Sequence, residues 1–149
     1  MDSDFKRGLW LGLFSPTHVL PLSWWWEYFE NRGMMSYFAR VRMMLDQMMK
    51  EGKGSFIPVE VATDQSRVKV YGVKCGKSTF IYLFNPTIES KICSVNLSDQ
   101  QLPQEVNIYI CDTGKYEPHN RFGSKEQKLV VSDITMSPMS EIVIIIKEN

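Results

Sequence analysis

Residues 141–147 read EIVIIIK, and the five residues from 142 to 146 are all apolar. A strand turns alternate side chains to opposite faces of its sheet, so a strand with one wet face alternates apolar and polar residues. An unbroken apolar run needs cover on both faces. We therefore expect this strand to lie at the centre of a sheet with both faces covered, or beside a helical layer.

The chain from residue 56 onward contains seven short segments with the valine, isoleucine and aromatic content of β-strands. They are PVEVA at 58–62, RVKVYGVKC at 67–75, STFIYLFNP at 78–86, SKICSVNLS at 90–98, EVNIYICD at 105–112, QKLVVSDI at 127–134 and EIVIIIKE at 141–148. Turn-forming pairs such as Gly76-Lys77 and Asn85-Pro86 separate them. Strands at this spacing, without helices between them, predict antiparallel sheets and most simply a sandwich.

The first 55 residues follow a helical period instead. The stretch FKRGLWLGLFS at 5–15 is apolar on most sides, which predicts a short buried helix that ends at Ser15-Pro16. In MMSYFARVRMMLDQMMK at 34–50, apolar residues recur in steps of four and three, as on one face of a helix. That predicted face consists of Met34, Phe38, Val41, Leu45 and Met48, widened by Met35, Tyr37 and Met44.

An aromatic segment, THVLPLSWWWEYF at 17–29, lies between these two helices. Three consecutive tryptophans would place large rings on both faces of a strand, and we expect a buried strand or extended segment here. Pro21 favours the end of a sheet or an irregular position over a central one. The predicted fold class is therefore α+β: an N-terminal segment of helices and one aromatic strand, followed by an antiparallel β-sandwich of about seven strands.

Charge and cysteine content exclude several classes of protein. Seventeen basic and seventeen acidic residues cancel, so no nucleic-acid partner is expected. The apolar runs are too short to span a bilayer, and the start MDSDFKRG lacks the features of a signal peptide.

Cys75, Cys93 and Cys111 form no CxxC pair, which favours buried free thiols, although one disulfide remains possible. We expect no metal and no cofactor, and interpret Asp112-Thr113-Gly114 as a hairpin turn rather than a calcium loop.

The order of elements resembles the C-terminal end of a bacterial (β/α)8-barrel glycoside hydrolase of the cellulase-like superfamily. The likeness is carried by GLWLGLFSPTHVLPLSWWWEYF at 8–29 and MSYFARVRMMLDQMMK at 35–50, and by YLFNP, IYICDTGKY and EIVIIIK downstream. It implies that residues 1–55 are the last helix–strand–helix passage of a barrel and that residues 56–149 are the appended sandwich domain. It also implies a secreted or periplasmic parent enzyme.

The resemblance implies a sugar subsite at the aromatic segment. Trp25 or Trp26 would form the platform for a sugar ring, since an indole face packs well on the apolar C–H face of a sugar. Glu27 and Tyr28 would lie at the rim. The alternative, that each tryptophan is simply core packing, is favoured for any single one of them.

The chain by itself is predicted to be non-catalytic. A complete barrel needs about 250 residues, and glycoside hydrolysis needs two carboxylates flanking the scissile bond. Glu27 is one carboxylate without a partner, and His18 and His119 lack the motifs of a catalytic histidine. We therefore expect the chain to be a C-terminal fragment of such a glycoside hydrolase, in which the sandwich braces the barrel.

Two further expectations follow. A homodimer would hide the aromatic strand, since bare strand edges and tryptophans favour association. The alternative function is a β-sandwich module that binds carbohydrate or protein and has a helical docking arm. Solvent-facing aromatic residues would mark such a module, and the candidates are Tyr71, Phe80, Tyr82, Phe84, Tyr109 and Tyr116.

Overall fold

The computed structural model describes residues 2–15, 26–98 and 102–148. Within these ranges, helix α1 covers Asp2–Phe14, α2 covers Trp26–Asn31 and α3 covers Met35–Gly52. Helices α1 and α3 pack against one face of a sandwich of two antiparallel sheets. The predicted α+β class, with a helical segment before a β-sandwich, is confirmed.

Ten strands occur in the part of the chain that the structure describes. One sheet has six strands in the order β1-β3-β4-β10-β6-β7, and the other has four in the order β2-β5-β9-β8. The strands are β1 (Ile57–Val59), β2 (Val61–Thr63), β3 (Lys69–Cys75), β4 (Ser78–Phe84), β5 (Lys91–Ser98), β6 (Glu105–Ile110), β7 (Lys115–Pro118), β8 (Phe122–Lys125), β9 (Lys128–Met136) and β10 (Glu141–Lys147).

The apolar run at 142–146 lies in β10, at the centre of the six-stranded sheet between β4 and β6. Its partner β4 is buried along its whole length. Ile144 lies opposite Ile81 in this pairing, and both are fully buried. The expectation of a central position with two covered faces is confirmed.

The two faces of this pair belong to different hydrophobic cores. Phe80, Tyr82 and Val143 point towards α1 and α3 and form one core with them. Ile81 and Ile144 point the other way and pack against the four-stranded sheet. The molecule is therefore built in three layers, with the six-stranded sheet in the middle.

The buried faces of the helices agree in part with the predicted stripes. In α1, Leu9, Trp10, Leu13 and Phe14 are buried, whereas Leu11 lies at the surface. In α3, the most buried positions are Met34 at the helix start, Val41, Met44 and Met48. Phe38 and Leu45, predicted for the same face, are only partly covered, because the helix is rotated so that Met44 and Gly52 approach the sheet.

All seven segments predicted as strands are strands. The first one divides at Glu60 into β1, in the six-stranded sheet, and β2, in the four-stranded sheet. The strands β7 and β8 were not predicted. Every residue of β7 is exposed, so its sequence KYEP carries no alternation of apolar and polar residues. The turn predicted at Asp112–Gly114 is confirmed as the connection between β6 and β7.

Cys75, Cys93 and Cys111 are buried free thiols, as the favoured interpretation predicted.

The side-chain amide of the buried Asn85 donates hydrogen bonds to the carbonyl oxygens of Glu89 and Ser137 at 2.8 and 2.9 Å, which connects the loops before β5 and before β10. Among the residues described, no helix is long and apolar enough to cross a membrane.

Close backbone contact holds the C-terminal end of α3 against the β3–β4 turn. A Cβ atom added at Gly76 would lie 2.3 Å from the carbonyl oxygen of Glu51, and one added at Gly52 would lie 3.1 Å from the Cβ of Cys75. Gly76 also has φ of +61°, which side chains rarely adopt. The helical segment and the sandwich thus meet without room for a side chain.

Shortening a residue of the central pair should destabilise the protein strongly. We expect Ile144→Ala to cost about 2–5 kcal/mol in the free energy of unfolding, because it leaves a cavity between the sheets. The matched control is Ile88→Ala, since Ile88 is 87% exposed and should cost less than about 0.5 kcal/mol. Urea unfolding followed by circular dichroism measures both. Equal costs would contradict the placement of β10.

The contact at Gly76 can be tested with a glycine control. Gly54 also has positive φ (+89°), but an added Cβ there meets nothing within 4 Å. We expect Gly54→Ala to cost about 1–2 kcal/mol from backbone strain alone, and Gly76→Ala to cost clearly more because the backbone of α3 must move. The same urea experiment compares them. A Gly76→Ala cost no larger than that of Gly54→Ala would mean that α3 does not press on this turn.

Candidate functional site

The residues predicted as a sugar subsite lie at the edge of what the structure describes. Trp25 falls outside the described residues, as do the side chains of Trp26, Glu27 and Tyr28. The backbone from residue 26 onward is helical and begins α2. The predicted extended conformation is therefore wrong for residues 26–29, and the rest of that prediction lies outside the described residues. The subsite itself stays a prediction.

Helix α2 is held in place by a cluster of three phenylalanine rings. Phe29 is buried, and its ring stacks on that of Phe5 in α1 with centroids 4.0 Å apart. Phe5 also contacts Phe38 of α3 at 5.3 Å. The helical turn of α2 places the Phe29 ring on Phe5, and this packing is the physical reason that we give for a helix here rather than a strand. Helix α2 is thereby attached to α1.

Tyr37 of α3 lies beside this cluster and is flanked by two cations. The Lys6 ammonium donates a hydrogen bond to the Tyr37 hydroxyl at 2.5 Å and lies 3.8 Å from its ring centroid. The guanidinium of Arg40 lies 4.8 Å from the same ring. Lys6 is also 3.9 Å from Asp112, in the β6–β7 turn. These contacts link α1 and α3 to the end of the six-stranded sheet.

A largely covered carboxyl group, that of Glu141, lies below α1. Its side chain is 11% exposed, and its Oε1 is 3.8 Å from Nε of Arg7. The guanidinium of Arg7 packs 4.1 Å from the centroid of Phe84. Burial raises the pKa of Glu141 to about 7; the Arg7 and Lys6 charges lower it, and Asp112 raises it. Sequence reasoning missed this group, whose one signal is an acidic residue opening a fully apolar strand.

Glu141 and Asp112 do not form a catalytic pair. A carboxyl with a raised pKa beside a second carboxyl is the arrangement of a general acid and its partner. Here, however, the Glu141 side chain is only 11% exposed and lies against Arg7 of α1, which leaves little of it open to a substrate. We interpret the contact as one between α1 and the six-stranded sheet.

The three thiols and His119 also lack catalytic geometry. Burial raises the pKa of the Cys75 and Cys93 thiols to about 11 and raises that of Cys111 as well, so these thiols are poor nucleophiles. Nε2 of His119 is bonded to the carbonyl oxygen of Ser132 at 2.8 Å, which is a structural contact. Over the described ranges, no group of three or more His, Cys, Asp or Glu side chains could hold a metal. His18 lies outside those ranges.

The aromatic residues that would mark a carbohydrate-binding sheet are mostly covered. Phe80, Tyr82, Phe84 and Tyr109 are buried beneath α1 and α3. Tyr82 and Tyr109 each keep a buried hydroxyl without a hydrogen-bond partner in the described part of the chain, and burial raises the pKa of Tyr109 to about 12. Tyr71 and Tyr116 are exposed, on different strands of this sheet.

An apolar groove of about 390 Å³ runs between α1 and α3. It is open at the surface, and Phe38 and Met49 remain 37% and 45% exposed beside it. The polar group at its edge is Arg42, which bonds to Asp46. The apolar lining consists of Leu9, Leu13, Phe38, Val41, Leu45, Met49 and Phe56. Phe38 and Leu45, which belong to the predicted face of α3 but do not reach the sheet, line this groove.

The sequence matches no protein-family model and no curated protein. Among solved structures it is similar to an alpha-amylase of Anoxybacillus, with 12% identity, a TM-score of 0.50, and coverage of 99% of this chain and 33% of that one. The match to a GH30 endoxylanase from Clostridium papyrosolvens (14% identity, TM-score 0.48) covers 72% of this chain and 28% of the endoxylanase chain. The match to a rhamnosidase from Novosphingobium (14% identity, TM-score 0.46) covers 70% of this chain and 10% of the rhamnosidase chain.

The likeness to the amylase concerns the fold alone, because the identity is low. It extends over the helices as well as the sandwich, since it covers 99% of this chain. The chain spans about a third of the length of the amylase chain that it matches. The arrangement of helices packed on one face of a sandwich is therefore a fold found within a larger glycosyl hydrolase.

Proposed function

We propose that this chain corresponds to the C-terminal end of a (β/α)8-barrel glycoside hydrolase of bacterial type, secreted or periplasmic, and is non-catalytic by itself. In this proposal, residues 1–55 belong to the last passage of the barrel, and residues 56–149 are a sandwich domain that braces it. The Trp25–Tyr28 segment contributes to a sugar subsite. The fold shared with one third of an amylase chain supports this proposal.

The observation that carries the bracing role is the hydrophobic core shared by the helices and the six-stranded sheet. Trp10 is buried against Tyr109 with centroids 5.7 Å apart, and Phe14 stacks on Tyr82 at 5.6 Å. The chain's own helices cover Phe80, Tyr82, Phe84 and Tyr109 on the aromatic face of the sheet and leave Tyr71 and Tyr116 exposed. This favours a brace over the alternative, a sandwich module that binds carbohydrate or protein through that face.

The subsite can be tested by titrating the chain with malto-, xylo- and cello-oligosaccharides while recording calorimetry and tryptophan emission. We expect Trp25→Ala or Trp26→Ala to weaken binding about tenfold or more, roughly 1.4 kcal/mol, because a stacking surface is lost. The control is Tyr116→Ala, an exposed ring on β7.

Each outcome separates the two functions. A loss of binding in Tyr116→Ala, with the tryptophan variants unchanged, would favour the sandwich module. A wild-type chain that binds none of the sugars would refute the subsite. Release of reducing ends from any of the sugars by the chain alone would contradict its non-catalytic role.

We further propose a homodimer that hides the aromatic segment at 17–29 against a second copy of the chain. The three adjacent tryptophans of this segment carry large apolar surface, and such surface favours association when it is exposed to water. Light-scattering mass should fall from dimer to monomer in Trp25→Glu and stay unchanged in Ile92→Glu, since Ile92 is exposed on the four-stranded sheet. A monomeric wild-type chain would refute this dimer.

A further inference from the structure

Glu141 is fixed in position by the strand that it opens. It lies opposite Phe84 in the β4–β10 pairing, and its carbonyl oxygen accepts a hydrogen bond from the Cys111 amide at 3.2 Å. Its side chain is thus anchored below α1 and is 11% exposed. The carboxyl group becomes fully hydrated only if α1 moves away from it.

The cation above Glu141 compensates its charge incompletely. The 3.8 Å between Arg7 Nε and Oε1 is too long for a hydrogen bond. Arg7 Nε is buried without a hydrogen-bond partner among the described residues, while Nη1 of the same guanidinium lies 3.4 Å from Asp4. A buried carboxylate that receives no hydrogen bond loses its hydration and regains little of it.

Charges of both signs lie around Glu141. Arg7 and Lys6 of α1 favour the ionised carboxylate, whereas Asp112, in the turn after β6, disfavours it. The Tyr82 hydroxyl and the Cys111 thiol also face this region and stay neutral, since burial raises the pKa of both. Burial of the carboxyl group is the largest influence and favours its protonated form, so the pKa is about 7 instead of the ordinary 4.5.

We propose that the docking of α1 on the six-stranded sheet is a pH-sensitive contact governed by Glu141, and that it is tighter in acidic than in neutral solution. When α1 leaves the sheet, the carboxyl group is hydrated and ionises as an ordinary glutamate does. The docked state therefore binds more protons than the released state between pH 4.5 and pH 7. Raising the pH through this window favours release, and the equilibrium is flat on either side of it.

The release would also loosen α2. Phe5 lies two residues before Arg7, on the same helix, and its ring stacks on Phe29 at 4.0 Å. Movement of α1 therefore breaks the contact that holds α2 to it. Through this ring pair, the proton on Glu141 controls how firmly the backbone at Trp26, where α2 begins, is held. This inference does not depend on the proposed sugar subsite.

Hydrogen exchange measured by mass spectrometry from pH 5 to pH 8 tests the proposal on the intact chain. After correction for the intrinsic exchange rate, the opening constant of the α1 amides should rise with pH, at most about 300-fold for a pKa difference of this size. The amides of β4 should exchange with smaller opening constants throughout. We expect Glu141→Gln to remove the pH dependence and Glu117→Gln, at an exposed position of β7, to retain it.

Three results would overturn the proposal. These are an opening constant of α1 that is equal at pH 5 and pH 8, a pH dependence that persists in Glu141→Gln, and α1 amides that open no more readily than those of β4. If Glu141→Gln does not fold, NMR titration of the Glu141 carboxyl carbon in the wild-type chain decides the matter. A midpoint near 7 supports the proposal, and a midpoint near 4.5 refutes it.

Discussion

The antiparallel pairing of β4 with β10 places two apolar strands side by side at the centre of the six-stranded sheet. Neither strand has a face that can remain wet, since residues such as Ile81, Tyr82, Val143 and Ile144 are all buried. Each fully buried side chain of this kind contributes roughly 1.5–3 kcal/mol. The second sheet covers one face and the helices α1 and α3 cover the other, so the three-layer arrangement follows from this pair.

The helical cover brings charged residues close to the apolar sheet, and the buried group Glu141 results from it. Strand β10 begins at the rim of the sheet, and its first residue is the acidic Glu141. Because α1 extends over this rim, Arg7 and Lys6 lie near Glu141, and their charges offset part of the cost of burying it. The same cover occupies most of the aromatic face of the sheet, which supports the bracing role that we propose for the sandwich.

The fold could be predicted well from the sequence, whereas the site could be predicted only in part. Periodicity identified α3, and apolar content identified α1 and the seven strand segments, because buried faces leave apolar patterns in the sequence. Neither signal identified β7, whose side chains are all exposed, β8 or the helix α2. Aromatic residues in a row favour strand by propensity, but packing of Phe29 on Phe5 decides the local backbone of α2. The Glu141–Arg7 contact joins residues 134 positions apart, which no local pattern reports.

The sequence by itself determined the class of the fold, the central position of β10 and the burial of the three thiols, since each depends on composition and period along one segment. The tertiary structure alone decided which face of the sheet the helices cover, how far α3 is rotated, and which charged groups become buried. The physical reason is that apolar patterning is a local property of the chain, whereas the surroundings of a side chain such as Glu141 depend on every element packed around it.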